Sequence, residues 1–449
     1  MADQSPDRGA AADANAPFWL TGNFAPVFTE HTDDQLKVTG TIPPELNGRY
    51  LRNGPNPKNS DSAHWFLGDG MIHGVEIRDG RANWYRNRFV QTPYYKDQDA
   101  NVLNSLPDKQ KSIANTHIIA HAGKILALEE LHFPYELTPE LETVGPYDFG
   151  GKLKTGMTAH PKICGETGEL LFFAYGIVPP FMTYHRVSAD GELVLSQEIE
   201  VGGATMVHDF NITRNYVIFM DLPLVWDLAG GATDPGMPLR WDDDYPARLG
   251  VMPRDGGDVT WYDIDPCYVY HPVNAYEDGD RIVIDVCHRD HHMKAHAEEA
   301  PPLLRRWEID QASGRVTETP IDDRPVEFPR VAEHLVGLKH RYSYMAELSD
   351  VGPVGRAIRK YDMQAGTSTA CTLPAGQTAG EPVFIPAANS RAEDDGYLMM
   401  YVHKPETNTS DLVILSAQDV DGEPLARIHL PARVPAGFHG YWAPDQIDG

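Results

Sequence analysis

Four histidines form the pattern in this sequence that most suggests chemistry. They are His160, His208, His271 and His439, each among apolar or turn residues beside a predicted strand. Their successive separations of 48, 63 and 168 residues exclude a local metal-binding motif, although neutral imidazole is a good ligand for iron, copper and zinc. A shared metal site therefore requires a fold that brings distant strands together, and ordinary structural roles for these histidines are the alternative. Three others, His291, His292 and His296, lie in a polar stretch and are expected to be solvated.

Short β-rich runs recur between residues 124 and 415, each introduced by a polar or glycine turn. They are residues 124–128, 170–175, 216–220, 281–286, 342–345, 397–402 and 412–415. Strands of this length bounded by turn residues are typical of an all-β fold. A β-propeller of dissimilar blades accommodates so many strands better than a two-sheet sandwich. In a propeller, strands far apart in sequence converge on one axis, which is the arrangement that the four histidines would need.

The composition excludes several functional classes. Lys and Arg total 38 against 65 Asp and Glu, and the formal net charge of −27 disfavours binding to nucleic acid or, by charge, to anionic lipid. The four cysteines form no C-x-x-C pair, and the sequence contains neither a dinucleotide-binding glycine motif nor a phosphate-binding loop. No apolar run reaches the roughly 18 residues of a membrane helix. We therefore expect a cytoplasmic protein in which residues 1–17 form a disordered tail and residues 18–449 form one domain.

A series of short motifs extends this interpretation. In chain order they are Trp65-Phe-Leu-Gly-Asp-Gly-Met-Ile-His-Gly, Arg86-Asn-Arg-Phe-Val, Ala114-Asn-Thr, Ala159-His-Pro-Lys, Val207-His-Asp-Phe, Glu327-Phe-Pro-Arg and Gly437-Phe-His-Gly. Together they resemble the successive signatures of the carotenoid cleavage oxygenases, a family that also includes stilbene- and phenylpropene-cleaving enzymes and the retinoid isomerohydrolase. The resemblance runs from Phe18 to Trp442. It implies a seven-bladed β-propeller with an irregular helical and loop cap, and Fe(2+) on the axis held by His160, His208, His271 and His439.

The resemblance also implies carboxylates behind the histidines. Those at the matching motif positions are Glu130, Glu327 and Glu381. A metal-bound imidazole donates its other N–H to an acceptor that fixes its tautomer and orientation, and this is the role expected of the three glutamates. At the first position the adjacent Glu129 is an alternative, because Leu131 and His132 stand where the family has glycines.

Further positions belong to the substrate side of the implied site. Thr116 resembles a family residue whose methyl group crowds one open position on the iron. Lys124 matches a lysine that stilbene-cleaving relatives use on a phenol oxygen. The aromatic residues expected to line a substrate tunnel include Phe66, Tyr95, Tyr175 and Trp226. The long segment 222–256 is interpreted as a lid or tunnel wall.

The implied reaction is cleavage of a conjugated C=C bond by O2, which gives two carbonyl products. A carotenoid or apocarotenoid is the preferred substrate, and the apolar runs 176–182 and 222–226 would contact a membrane surface to reach it. The alternative substrate is a stilbene or phenylpropene, with Lys124 on the phenol and Tyr94 or Tyr95 as its partner. Two other classes stay open: a propeller that binds partners without a metal, and an isomerohydrolase that consumes no O2.

Overall fold

The computed structural model describes residues 16–59, 62–97, 102–228, 236–350 and 352–445. Regular structure within these ranges is almost entirely β-strand. The helical segments described are α1 (Pro93–Lys96), α2 (Val102–Ser105) and 3-10 turns at Phe18–Leu20, Gly22–Phe24, Trp65–Leu67 and Glu333–Leu335. The predicted tail, residues 1–17, lies outside the described residues apart from its last two, so the division into a tail and one domain stays a prediction.

The strands are short, and tight turns join many of them into hairpins. From the N-terminus they are β1 (Thr32–Asp33), β2 (Lys37–Gly40), β3 (Gly48–Pro55), β4 (Gly70–Arg78), β5 (Arg81–Phe89), β6 (His117–His121), β7 (Lys124–Leu128), β8 (Tyr135–Leu137), β9 (Thr143–Pro146), β10 (Lys162–Ile163), β11 (Leu170–Tyr175), β12 (Met182–Val187), β13 (Leu193–Glu198), β14 (Asn211–Ile212), β15 (Tyr216–Asp221) and β16 (Leu224–Trp226). They continue as β17 (Leu239–Trp241), β18 (Arg248–Pro253), β19 (Thr260–Asp263), β20 (Tyr268–Asp278), β21 (Arg281–Arg289), β22 (Leu303–Asp310), β23 (Arg315–Arg330), β24 (Tyr342–Ser349), β25 (Gly352–Asp362), β26 (Thr367–Thr372), β27 (Thr378–Ala379), β28 (Val383–Pro386), β29 (Gly396–Lys404), β30 (Thr409–Ser416), β31 (Ala426–His429) and β32 (Gly440–Pro444). The turn between β20 and β21 has Gly279 at φ 64°, a left-handed conformation that glycine adopts without strain.

These strands form seven antiparallel blades that follow one another along the chain. Blade 1 contains β1, β3, β4, β5 and β32, blade 2 contains β6–β9, blade 3 contains β10–β13, and blade 4 contains β14, β15, β18 and β19. Blade 5 contains β20–β22 and the first part of β23, blade 6 contains the end of β23 with β24–β26, and blade 7 contains β27–β31 with β2. The prediction of an all-β, seven-bladed propeller is confirmed.

Strands from both ends of the chain close the ring. The C-terminal β32 pairs with β3 in blade 1, where Arg52 is opposite Gly440. The N-terminal β2 pairs with β31 in blade 7, where Lys37 is opposite His429. Closure of this kind protects the sheet edges and fixes the position of every inner strand around the axis.

Apolar side chains fill the space between neighbouring blades. The largest cluster joins blades 3, 4 and 5 and includes Phe173, Phe219 and Trp307, none of which is exposed to solvent. A second cluster joins blades 7 and 1 across the closure and includes Tyr50 and Met399. Because both faces of each blade are packed, the residues at the inner ends of the blades are held in fixed positions.

Blade 4 carries an insertion between β15 and β18. Within the segment 222–256, β16 and β17 form a short hairpin and β18 belongs to the blade itself. The segment is therefore more regular than the sequence suggested, and its interpretation as a lid or tunnel wall stays a prediction. Trp226, at the end of β16, lies against Tyr175 of blade 3 with 6.4 Å between the ring centroids. The hairpin thus packs against blade 3.

Candidate metal centre

In each of the seven blades, one of the residues singled out in the sequence lies just before the inner strand or within it. In the order of blades 1 to 7 these residues are His439, Thr116, His160, His208, His271, Glu327 and Glu381. Their separations in sequence follow from the length of a blade, because the chain returns to the axis once in each blade as it passes around the ring. The fold therefore explains how widely spaced histidines meet without any local motif.

The four predicted metal ligands form a single buried cluster. Their candidate ligand atoms all lie within 4.8 Å of one another. The ring centroids of His160 and His439 are 4.4 Å apart, and those of His160 and His208 are 4.5 Å apart. Four imidazoles grouped in this way form the nitrogen-rich donor set that suits a transition metal.

Two of the imidazoles donate from Nδ1 to buried carboxylates. His271 Nδ1 lies 2.5 Å from Glu327 Oε2, and His439 Nδ1 lies 3.0 Å from Glu381 Oε1. A carboxylate only accepts hydrogen bonds, so in each neutral ring Nδ1 carries the hydrogen. The Nε2 atoms of both rings therefore keep a lone pair that is free to bind a metal.

The Nε2 atoms of the cluster fit a metal ion. His208 Nε2 and His271 Nε2 lie 3.1 Å apart. Nδ1 of His208 contacts the Glu130 carboxylate, so this ring also carries its hydrogen on Nδ1. Two lone pairs therefore face each other and repel unless a positive charge lies between them. His160 Nε2 is buried as well and has no hydrogen-bond partner in the described part of the chain.

Burial helps to keep the imidazoles neutral, which is the form that binds metals. Burial lowers the pKa of His160 and of His439 well below its ordinary value, and neighbouring histidines lower it further. Burial acts in the same direction on His271, but the Glu327 carboxylate outweighs it and raises the pKa of that ring.

The carboxylate nearest to Nδ1 of His160 belongs to Asp209, a residue that was not among the predicted site residues. His160 Nδ1 lies 3.6 Å from Oδ2 of Asp209, beyond hydrogen-bond distance, while Lys162 Nζ lies 2.8 Å from Asp209 Oδ1. Burial raises the pKa of Asp209 against the opposing charge of Lys162. The only signal for Asp209 in the sequence is its position directly after His208.

The carboxylates of blades 6 and 7 are themselves fixed by hydrogen bonds. Glu327 Oε2 accepts the backbone N–H of Phe328 at 2.8 Å. Glu381 Oε2 accepts the backbone N–H of Gly440 at 2.8 Å and Arg330 Nη2 at 3.0 Å. The imidazole of His271 shares Oε2 of Glu327 with the backbone N–H, and that of His439 binds the other oxygen of Glu381. Since the backbone fixes each carboxylate, the imidazole that it binds is held in one orientation.

The geometry distinguishes Glu130 from the adjacent Glu129. One oxygen of Glu130 contacts His208, and the other accepts the hydroxyl hydrogen of Tyr175. Glu129 instead forms a buried ion pair with His132. The assignment of Glu130 therefore agrees with its position, and Tyr175 holds this carboxylate in addition to lining the cavity described below.

We expect Glu130→Gln to weaken metal binding and Glu129→Gln to leave it intact. Glu130→Gln removes the charge that faces His208, so metal affinity should fall by about 10- to 100-fold. Glu129→Gln weakens the buried pair with His132, so it should lower the melting temperature without changing the metal content. Metal analysis and thermal unfolding of both proteins measure these effects. Loss of metal in Glu129→Gln alone would reverse the assignment.

A cavity of about 390 Å³ with a largely apolar wall opens beside the cluster. His208, His271 and His439 form part of this wall. The predicted substrate-side residues that also line it are Phe66, Thr116, Tyr175 and Trp226. An apolar molecule in this cavity would therefore lie directly against the histidine cluster.

Two of the predicted substrate-side residues lie elsewhere. Lys124 begins β7, and its Nζ lies 2.7 Å from Oε1 of Glu136. Tyr95 belongs to α1, and its ring packs against Phe89 at 5.0 Å between centroids. Neither of them lines the cavity, and Tyr94 does not line it either. The sequence-based assignment of Lys124 and Tyr95 to the substrate site is corrected, because local partners already engage both side chains.

A chain of hydrogen bonds that the sequence did not indicate lies in the cavity wall. His292, expected to be solvated, has a side chain that is only 12 % exposed. Its Nε2 lies 2.7 Å from the Tyr270 hydroxyl oxygen, and its Nδ1 lies 2.7 Å from Glu299 Oε2. All three residues line the cavity. The polar sequence around His292 gave no signal, because its burial results from packing against β20.

Comparisons with known proteins agree with this geometry. The family model described as retinal pigment epithelial membrane protein matches residues 24–444. A carotenoid cleavage oxygenase of Mycobacterium tuberculosis is 41% identical over 97% of this chain and 99% of its own length. The chain belongs to the carotenoid cleavage oxygenase family. The resemblance recognised in the sequence is thereby confirmed, and the protein is an oxidoreductase of this iron-dependent family.

Other carotenoid cleavage oxygenases are similar along nearly the whole chain. The carotenoid 9,10(9',10')-cleavage dioxygenase 1 of Pisum sativum is 33% identical over 96% of this chain and 91% of its own. The structure of Pseudomonas brassicacearum lignostilbene dioxygenase is 29% identical with a TM-score of 0.87, and covers 95% of this chain and 98% of its own. Cobalt-substituted apocarotenoid oxygenase of Synechocystis is 28% identical with a TM-score of 0.84 at the same coverage.

Proposed function

We propose that this protein is an Fe(2+)-dependent dioxygenase that cleaves a conjugated C=C bond of a carotenoid or apocarotenoid with O2 and releases two carbonyl products. The observation that carries the proposal is a four-histidine cluster that opens into a largely apolar cavity. The residues that would hold the iron are His160, His208, His271 and His439. Bound iron would supply the position at which O2 is activated. Membership of the family supports both the metal and the class of reaction.

The carboxylates behind the imidazoles would tune this site without binding the metal. Glu130, Glu327 and Glu381 would fix the ring orientations and offset part of the positive charge from outside the coordination sphere. No side chain has to act as an acid or base on the alkene. The main task of the protein is therefore to position the substrate against the metal and to exclude water.

Thr116 is proposed to restrict where small molecules approach the metal. It lines the cavity, and its hydroxyl donates to Asn115 Oδ1 at 2.9 Å. Asn115 is fixed in turn, since its amide donates to the carbonyl oxygens of Phe66 and Gly68 at 2.8 and 2.7 Å. With the hydroxyl engaged, the methyl group of Thr116 is the part of the side chain left to crowd the metal.

A polyene is favoured over a phenolic alkene because the cavity lacks the predicted lysine. The Lys124 ammonium pairs with Glu136 outside the cavity, so it is not positioned to bind a phenol in the cavity. A stilbene or phenylpropene is the second candidate, supported by the similarity to lignostilbene dioxygenase. Such a substrate would need a different hydrogen-bonding partner in this chain.

We expect Lys124→Met to leave kcat/KM near the wild-type value on an apocarotenoid and on a hydroxystilbene. If Lys124 bound the phenol oxygen, its replacement would instead lower kcat/KM on the hydroxystilbene by roughly 10- to 150-fold. Glu136→Gln serves as the matched control, because it breaks the same ion pair from the other side. A selective loss of hydroxystilbene cleavage in Lys124→Met would instead favour a phenolic alkene as the substrate.

The loop between β11 and β12 is proposed to contact membranes. Val178 in this loop is 66% exposed, and Tyr175 just before the loop lines the cavity. The second predicted apolar run is excluded from this role, because Leu222, Leu224 and Val225 are buried. Within the described ranges, none of the helices is long and apolar enough to cross a bilayer.

We expect Val178→Asp to reduce binding to neutral phosphatidylcholine vesicles, since it places a charge at the apolar tip of the loop. Cleavage of a substrate dispersed in detergent should persist. Co-sedimentation with vesicles and product formation measure the two effects. Val194→Asp is the matched control at an exposed valine of β13. Equal loss of binding in both variants would contradict a specific role for the loop.

Aerobic incubation of the iron-loaded protein with a panel of apocarotenoids and hydroxystilbenes tests the proposed function. We expect two carbonyl products for each alkene cleaved, with consumption of one O2. An isomerohydrolase would cleave no alkene of this panel and would convert a retinyl ester without consuming O2, and a binding module without metal would retain no iron. Either result would overturn the proposal.

A further inference from the structure

One wall of the largely apolar cavity is polar. The residues that form it are Tyr270, Arg289, His292 and Glu299. At one end, the Tyr270 ring lies 5.0 Å from that of His208 between centroids. At the other end, the Glu299 side chain is 52 % exposed. This polar wall therefore extends from beside the metal centre to solvent, and the proposed reaction assigns it no role.

The hydrogen bonds of the polar wall have a defined direction. Glu299 Oε1 accepts the backbone N–H of Met293 at 2.9 Å, and Oε2 lies 2.7 Å from His292 Nδ1. Burial lowers the pKa of His292, so the ring is neutral and its single hydrogen is on Nδ1, where Glu299 accepts it. His292 Nε2 is then an acceptor and receives the hydroxyl hydrogen of Tyr270 at 2.7 Å. With its hydrogen engaged, the Tyr270 oxygen can only accept a hydrogen bond from a ligand.

Arg289 supplies the complementary donors. Its Nη1 donates to the backbone oxygen of Ala300 at 2.6 Å, which ties the segment carrying His292 and Glu299 to the end of β21. Arg289 forms no ion pair with any carboxylate in the part of the chain that the structure describes. A guanidinium has five N–H donors, and a polar group beside an apolar cavity is unfavourable unless an acceptor is available. The polar wall thus offers a donor and an acceptor together.

We propose that the polar wall is a subsite for a hydroxyl group of the substrate, which accepts a hydrogen bond from Arg289 and donates one to the Tyr270 oxygen. The inference rests on the proposed function, because it assigns chemistry to one end of the same alkene. A ketone in this position could accept from Arg289 but would direct its lone pairs at the Tyr270 oxygen. An unsubstituted ring would bring no donor to the Tyr270 oxygen and no acceptor to the remaining N–H groups of Arg289. The polar wall therefore selects hydroxylated alkenes.

Three apocarotenals that differ at one ring carbon test this selection, with a hydroxyl, a keto group or hydrogens there. We expect wild-type kcat/KM to be highest for the hydroxylated compound. In Tyr270→Phe the ratio of kcat/KM for the hydroxylated over the unsubstituted compound should fall roughly 3- to 10-fold, as for loss of one hydrogen bond. Tyr268→Phe is the matched control, because the Tyr268 hydroxyl donates to Met206 O at 3.2 Å and Tyr268 does not line the cavity. It should keep the wild-type ratio.

Glu299→Gln provides a second test at a largely exposed position. The amide oxygen would stay on the Met293 N–H, so the amide NH2 group would face His292 Nδ1. That arrangement moves the ring hydrogen to Nε2, which then donates to the Tyr270 oxygen and turns the hydroxyl hydrogen towards the cavity. A keto group can now be bound, so the preference for hydroxyl over keto should fall at least threefold.

The outcomes separate this inference from the proposed function. If the wild-type protein cleaves none of the three compounds, the proposed function is wrong. If it cleaves all three with equal kcat/KM, the function stands and the subsite is refuted. A preference for hydroxyl that persists in both Tyr270→Phe and Glu299→Gln would also refute it, as would a wild-type preference for the keto compound. Iron content measured in each protein excludes loss of metal as the cause of a changed ratio.

Discussion

Replacement of His208 by alanine is expected to abolish turnover and to leave the protein without stably bound iron. The change removes one of four clustered imidazoles and leaves the half-buried Glu130 carboxylate with the Tyr175 hydroxyl but without the ring that it contacts. A carboxylate that has lost one partner adds to the lost ligand, so both metal affinity and local stability should fall. Iron analysis of purified protein and O2 uptake with an apocarotenoid measure the result. Full iron occupancy with normal turnover would show that the four-histidine assignment is wrong.

The control for this experiment is another buried histidine. His185 lies in blade 3 and shares hydrogen bonds with Thr155 Oγ1 at 2.9 Å and Ser196 Oγ at 2.8 Å, away from the cluster. We expect His185→Ala to lower the melting temperature while the protein retains iron. The pair of variants therefore separates loss of a ligand from a general loss of stability.

Replacement of Glu327 by glutamine is expected to lower iron affinity or activity by about 10- to 100-fold. The shape of the side chain is kept, and its oxygen can still accept from His271 Nδ1 and the Phe328 N–H. The negative charge is lost, however, so the His271 ring becomes a weaker ligand and the charge of bound iron is less well offset. Titration of the iron-free protein with Fe(2+) under anaerobic conditions measures the affinity directly.

The control for Glu327→Gln removes a buried carboxylate of the neighbouring strand that pairs with arginines and not with a histidine of the cluster. Glu347 in β24 is paired with Arg356 at 2.7 Å and with Arg359 at 2.5 Å. Glu347→Gln should reduce the free energy of unfolding but leave iron affinity at the wild-type value. If both variants lost iron affinity equally, a general loss of stability would explain the result, and not the loss of the charge that faces His271.

Much of the fold could be predicted because its signals are local. Short β-rich runs bounded by turns such as Asp278-Gly279-Asp280 specify hairpins through backbone preferences alone. Four histidines beside such strands indicated a metal cluster, and the family motifs supported the same four. The same local signals did not indicate the β16–β17 hairpin in the segment 222–256, where Trp226 packs against Tyr175 of blade 3.

The sequence by itself determined the strands, the number of blades implied by the motifs and the residues that approach the axis. Tertiary structure alone decided which partner each polar side chain found. Glu130 rather than Glu129 faces His208, because the direction of a side chain depends on the path of the chain after β7. Lys124 is neutralised by Glu136 across a strand pair, and His292 is buried against β20. These pairings join residues from different strands and loops, and their energies depend on distances and burial that no local pattern encodes.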